Sequence, residues 1–186
     1  MHAFSLKRII DFARPGRAAC ALGLLLALAA GTSDAWAFDV AGFKSRAEAT
    51  LAELNTKRLA DSKATLARLD EMIAIGVVGM KEYGAKQPKY AKLMEAAIAD
   101  AQAMKAMTDV EIEDKWGEKG NGGDAAGVPL KSLEQFGEER AYLELAVGPA
   151  HQYIFIKKWE SAQKARWLDQ AKDEVTELLK HLEVVK

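Results

Sequence analysis

The sequence predicts an all-α protein: an antiparallel bundle of about four long helices, or five, preceded by a cleaved N-terminal segment. Three observations favour this class. Ala, Leu, Glu and Lys dominate the chain, which is typical of long helices. Apolar residues recur at steps of three and four, the period of a helix with one buried face. The alternating runs beside turn dipeptides that mark β-hairpins are missing from the sequence.

The first 37 residues have the pattern of a secretory signal peptide. Basic residues between Lys7 and Arg17 precede an unbroken apolar run over residues 18–30, too short for a bilayer span of roughly 20 residues. Ala35 and Ala37 then supply the small residues that a signal peptidase recognises. We therefore expect cleavage after Ala37, a periplasmic or secreted product, and one domain over residues 38–186 without a transmembrane span.

Composition narrows the function of that domain. The only cysteine, Cys20, lies in the segment expected to be removed, which excludes cysteine-ligated zinc, iron–sulfur clusters and attached c-type haem. The formal net charge of −1 gives no electrostatic reason to expect a nucleic-acid partner. The sequence motifs of common nucleophiles and of nucleotide-binding loops are missing. We predict no catalytic residue and favour a non-enzymatic protein.

The first helical stretch covers residues 40–83 and leaves two alternatives open. Its apolar stripe is clear at both ends but fades at residues 55–58. Either one long helix runs through this point, or two helices meet near residues 55–61.

Two glycines, Gly76 and Gly79, interrupt the second half of this stretch. Inside a helix each costs roughly 1 kcal/mol relative to alanine, so some interaction should offset the cost. Close packing of a neighbouring helix is one explanation. The other is a flat ligand lying against bare backbone, which would make both glycines cofactor-binding residues.

The middle of the chain predicts a second helix over residues 89–107 and a short helix that follows it. Thr108 and Glu111 have the spacing of a capping box, which opens the short helix. Residues 117–129 then hold five glycines and predict a Gly-rich surface loop without fixed structure.

The last third of the chain predicts two more helices. Ser132 and Gln135 repeat the capping-box spacing and are expected to open the third long helix. Pro149 falls inside that helix and predicts a kink or break. The final helix should cover residues 162–181.

His151 is the candidate ligand-binding residue, because it stands beside the expected kink among aromatic side chains. A helix bundle can hold haem or a metal ion through inward-facing histidine, carboxylate or methionine. No second histidine lies three or four residues away, so a half-buried structural histidine is the other interpretation. His181 is expected instead to interact with the dipole at the end of the last helix.

The segment Ile154, Phe155 and Ile156 is apolar at three consecutive positions, which point to different sides of a helix. It is therefore either deeply buried or an exposed apolar patch that serves as a partner interface. The second alternative predicts a homo-oligomer.

These features together predict an exported helical protein that binds a small ligand or a periplasmic protein without catalysis. A haem or metal carrier with His151 as a ligand is one alternative, with a methionine or a carboxylate opposite. An oligomeric structural or stress protein is the other. The identity of the ligand, of any cofactor and of the partner does not follow from the sequence.

Overall fold

A computed structural model describes residues 38–186, which are mainly helical and contain no β-strand. Six α-helices follow one another in this part of the chain: α1 (Val40–Asn55), α2 (Ser62–Lys86), α3 (Ala91–Asp100), α4 (Asp109–Trp116), α5 (Glu138–Ala162) and α6 (Ala165–His181). Short 3-10 turns at Ala103–Ala106, Asp124–Ala126 and Leu130–Ser132 lie in the connections. The all-α class is confirmed, with six helices where four or five were expected. The predicted signal peptide lies outside the described residues.

The first helical stretch is two helices, the second of the two alternatives. α1 ends at Asn55, and Lys57 then adopts a left-handed backbone with φ of 56° that turns the chain. α2 begins after Asp61, whose carboxylate accepts hydrogen bonds from the backbone N–H groups of Lys63 and Ala64. This cap satisfies donors that a helix start leaves free, so the chain restarts cleanly there.

Helix α5 lies at the centre of the packing. It contacts α2, α3, α4 and α6, and α6 also packs against α1. Most side chains of α5 from Ala141 to Ile156 are buried, as expected for a helix covered on several sides. Within residues 38–186, no helix is both long enough and apolar enough to cross a bilayer.

Of the predicted kink or break at Pro149, the break is wrong, because α5 runs continuously from Glu138 to Ala162. Pro149 has no N–H to donate to the carbonyl of Leu145 four residues earlier. Gly76 of α2 lies against that carbonyl: a Cβ added to Gly76 would stand 2.2 Å from the Leu145 oxygen. The bare backbone of Gly76 thus lets α2 cover the carbonyl that Pro149 leaves free.

Gly79 lies one turn further along the same contact. A Cβ there would come within 3.0 Å of both the Leu145 side chain and the Phe38 ring. Close packing of a neighbouring helix, the first of the two explanations, therefore accounts for both Gly76 and Gly79. A ligand on this backbone has no room.

The Gly-rich loop is folded back against the end of α4, which corrects the expectation of a loop without fixed structure. Gly122 donates a backbone hydrogen bond to the Lys115 carbonyl at 2.7 Å, and Gly120 and Gly123 are buried. The Trp116 indole N–H donates to Asp100 at 3.2 Å and ties α4 to the end of α3. Glycine serves here because added side chains would meet backbone.

Two expected helix boundaries need correction. α3 ends at Asp100, and only a 3-10 turn continues toward Met107, so the predicted helix over residues 89–107 is shorter. The capping-box spacing at Ser132 opens no helix, because its hydroxyl donates to the Pro129 carbonyl within a turn. α5 begins six residues later, after Gly137.

The three consecutive apolar residues Ile154, Phe155 and Ile156 are buried, with at most 4 % of each side chain exposed. Burial was one of the two alternatives for this segment. No exposed apolar patch forms there in the described part of the chain, which leaves the partner interface without support.

Candidate ligand pocket

A cavity of about 270 Å³ lies between α4, α5 and α6 and is closed on one side by the segment that precedes α5. Its wall is unusually polar for a space inside a helical core. The ionisable side chains that line it are Glu113, Glu118, Arg140, Glu144, His151, Glu174, Glu177 and His181. His151, the candidate ligand-binding residue from sequence, lies in the wall of this cavity, whereas Gly76 and Gly79 lie elsewhere.

One face of α5 supplies the floor of the pocket. Arg140, Glu144, Gly148 and His151 follow at helical spacing and line the cavity together. Gly148 faces Leu178 of α6, and a Cβ there would be 3.4 Å from that side chain, an ordinary contact. Between Ala141 and Ile156 the other side chains of this helix are mostly apolar, with Gln152 as a further buried polar residue.

Arg140 and Glu144 form an ion pair, one turn apart on α5, with 2.5 Å between Nη2 and Oε1. Only 11 % and 12 % of their side chains are exposed. Arg140 also donates to the Gly117 carbonyl at 3.4 Å. Burial raises the pKa of Glu144 above its usual range although the Arg140 charge opposes that shift. Glu144 thus depends on the Arg140 charge to stay ionised.

His151 is 8 % exposed and contacts a carboxylate, with 3.4 Å between its Nδ1 and Glu174 Oε1. Burial lowers the pKa of His151, but Glu174, with Glu113 and Glu144, raises it by more, so the net shift is upward. Its Nε2 is buried without a hydrogen-bond partner among the described residues. The ring stacks on Phe155 with 4.7 Å between ring centres.

His181 lies at the other end of the pocket, and its pKa shifts in the opposite direction to that of His151. It is 2 % exposed, and burial together with the Arg140 charge lowers its pKa to about 4. Its Nε2 lies 3.8 Å from Glu177 Oε1, too far for a hydrogen bond. Its Nδ1 is buried and has no partner in residues 38–186. A neutral imidazole gains no stabilisation from a helix dipole. The dipole interaction expected for His181 is therefore not formed, and the side chain lines the pocket instead.

The pocket has an excess of negative charge. Once Arg140 and Glu144 neutralise each other, four carboxylates remain in the wall: Glu113, Glu118, Glu174 and Glu177. Glu174 is partly buried, whereas the other three are exposed and therefore screened by solvent. Together they still give the mouth of the cavity a negative potential, which attracts cations.

A metal centre is less well matched to these side chains. Among the described residues, no group of three or more His, Asp or Glu side chains is arranged to hold a metal ion. The methionines considered as partners of His151, which are Met72, Met80, Met94 and Met104, are buried in the core and do not line this cavity. The methionine–histidine pairing that haem iron accepts is therefore not formed here.

Sequence reasoning found His151 and missed the residues around it. The signal was the helical recurrence of Arg140, Glu144 and His151 in α5, matched by Glu174, Glu177 and His181 in α6. Each stripe alone resembles a solvent-exposed face. Only the packing of α5 against α6 shows that the two polar stripes face one cavity.

Comparison of the chain with protein-family models, with curated proteins and with solved structures gives no match. The function is accordingly inferred from the chemistry of the pocket itself.

Proposed function

We propose that this protein is exported, loses residues 1–37, and binds a small organic amine in the pocket between α4, α5 and α6 without turning it over. The observation that supports this most is the charge of the cavity wall, where four carboxylates remain after Arg140, the cation of the lining, is paired with Glu144. A protonated amine is a cation with several N–H donors, so it complements carboxylates and an imidazole nitrogen with a free lone pair.

The size of the cavity favours a small ligand. Pockets for drug-sized ligands have volumes of roughly 300–1,000 Å³, and this one is about 270 Å³. A primary amine or a short diamine suits that volume, whereas haem needs far more. The haem or metal carrier therefore has less support than amine binding.

The proposed architecture is an antiparallel helix bundle that carries the pocket in its interior. α5 and α6 are joined by only Gln163 and Lys164, and so short a connection between long packed helices favours antiparallel neighbours. The polar stripes of the two helices then lie side by side along the pocket. The alternative of an oligomeric structural protein rested on an exposed apolar patch at Ile154–Ile156, and that segment is buried.

Calorimetric titration with a small panel of ligands tests this proposal. The panel is 1,4-diaminobutane, ethanolamine and tetramethylammonium, with acetate as an anion of similar size. We expect the primary amines to bind and acetate to give no heat. In Glu174→Gln the amine affinity should fall about tenfold, the loss of one charge-assisted contact. The matched control is Glu95→Gln, which removes an exposed carboxylate of α3 outside the pocket.

Amine binding that survives unchanged in both Glu174→Gln and Glu177→Gln would place the ligand elsewhere and contradict the proposal. Binding of acetate in preference to amines would contradict it as well, because it would show that Arg140 and not the carboxylates dominates the pocket.

A further inference from the structure

Phe38, the first residue after the predicted cleavage site, is held firmly by the fold. Its backbone nitrogen donates a hydrogen bond to Glu82 Oε1 at 2.9 Å. Its ring packs against Phe43 and Tyr142, with 6.3 and 6.1 Å between ring centres. The same ring lies over Gly79, where a Cβ would come within 3.0 Å of it. Side chains of α1, α2 and α5 thus converge on the residue that would begin the processed chain.

Cleavage changes the chemistry of that nitrogen. In the uncut chain it is a neutral peptide N–H. Hydrolysis breaks the Ala37–Phe38 bond, leaves a carboxylate on Ala37, and leaves Phe38 with an α-amino group that takes up a proton near neutral pH. The contact with Glu82 then joins an ammonium to a carboxylate, and such charge-assisted hydrogen bonds are roughly twice as strong as neutral ones.

We propose that Glu82 is a receptor for the N-terminus made by processing: the α-ammonium of Phe38 pairs with Glu82, and removal of the leader stabilises the mature fold. This inference rests on the proposed export and cleavage, not on the amine pocket. Neither Phe38 nor Glu82 lines the pocket, so the two proposals can fail separately.

The groups around Phe38 and Glu82 determine how the stability of this pair depends on pH. Lys86 lies 3.9 Å from Glu82 on the same helix, and Asp39 follows Phe38 and caps α1. From α5, Tyr142 faces the Phe38 ring, and its hydroxyl donates to the carbonyl of the C-terminal Lys186 at 2.6 Å. Burial raises the pKa of Tyr142, with Glu138 and Glu82 acting in the same direction.

The α-amino group has an ordinary pKa of about 8, so it changes charge between about pH 6 and pH 9.5. Pairing with Glu82 raises that pKa. Stability from a raised pKa is fully present below the unfolded value and is lost as pH rises through the folded value.

The experiment uses the full chain with its own leader, produced in a bacterial host and recovered from the periplasm. Intact mass identifies the first residue, which should be Phe38. Thermal unfolding is then compared at pH 7 and pH 9.5 for the wild type, Glu82→Gln and the exposed control Glu95→Gln. We expect Glu82→Gln to lower Tm by about 2–4 °C at pH 7 and clearly less at pH 9.5. The control should match the wild type at both values.

A chain that keeps its leader would overturn both this inference and the proposed export. A chain that begins at Phe38 but loses equal stability in Glu82→Gln at both pH values would overturn the pairing alone. If Glu82→Gln does not fold, the α-amino group of the wild type is titrated by NMR after methylation with a ¹³C label. A pKa above about 8 supports the pair, and one at or below this ordinary value overturns it.

Discussion

The two sides of helix α5 differ in how tightly they pack against their neighbours. Toward α2 the helix is packed so closely that Gly76 has no space for a Cβ beside the Leu145 carbonyl. Toward α6 it carries Arg140, Glu144 and His151 around an open space of about 270 Å³. The first side is closely packed, and the second leaves one buried nitrogen each of His151 and His181 without a partner at the cavity.

This difference separates the side of α5 that stabilises the fold from the side that is proposed to bind a ligand. Close packing is stabilising, whereas buried polar atoms without partners cost free energy unless something satisfies them. His151 Nε2 and His181 Nδ1 border the cavity, and a ligand bound there would satisfy them. The Gln152 amide and the Trp167 indole nitrogen also lack partners among the described residues, but they lie outside the lining. The comparison can be tested by substitutions on each side.

The largest effect is expected from Arg140→Met on the pocket side. It leaves the Glu144 charge buried without its partner, and breaking a buried pair in this way costs about 3–5 kcal/mol of unfolding free energy. The loss should be smaller at pH 5 than at pH 8, because an unpaired Glu144 with a raised pKa can take up a proton. Urea unfolding at the two pH values measures this. The double variant Arg140→Met with Glu144→Met should recover most of the loss, and failure to recover would contradict the pairing.

The next effect concerns the two histidines, whose pH dependences have opposite sign. Because the pKa of His181 is lowered to about 4, its neutral form stabilises the fold at pH 7, and this stability is lost as pH falls from about 6.5 to 4. The loss is on the order of 3 kcal/mol. His181→Leu should therefore lose less stability than the wild type over this range. His151 has a raised pKa, so its contribution is present below about 6.5 and is lost as pH rises. Matching acid profiles for wild type and His181→Leu would contradict the environment described for His181.

A pair of glycine substitutions compares the two sides of α5 directly. Gly76→Ala places a Cβ against backbone and should cost about 1–3 kcal/mol or more. Gly148→Ala faces Leu178 at an ordinary contact distance and should be neutral or stabilising by up to about 1 kcal/mol, the helix preference of alanine. Chemical unfolding of both variants is the measurement, and equal costs would remove the distinction between a packed side and a pocket side.

The smallest effect on stability compares Thr108 and Ser132, which share the capping-box spacing in the sequence. Thr108 caps α4 reciprocally with Glu111, so Thr108→Ala should cost about 1 kcal/mol. Ser132 lies at an exposed turn, and Ser132→Ala should change the free energy of unfolding by less than about 0.5 kcal/mol. Equal effects in the two variants would show that the caps do not differ as described.

These examples also show how far the sequence could be interpreted. Helix class and the Thr108 cap depend on local spacing, so both were predictable. The same spacing at Ser132 gave a wrong prediction, because the Ser132 hydroxyl donates to the neighbouring proline carbonyl within a turn. The continuity of α5 through Pro149 could not be predicted from local sequence. It depends on Gly76, a residue distant in sequence, which covers the carbonyl that Pro149 leaves without a donor. His151 was found because its surroundings are local, whereas its partner Glu174 comes from another helix.

The most direct test of amine binding is NMR of the histidine rings. The chain has three histidines, and His2 lies in the segment proposed to be removed, so His151 and His181 alone remain and both line the pocket. Each ring signal therefore reports on the cavity. We predict that 1,4-diaminobutane at pH 7 shifts both signals in the wild type and shifts them much less in Glu174→Gln. Ring signals that stay unchanged at amine concentrations that saturate binding would contradict the central claim.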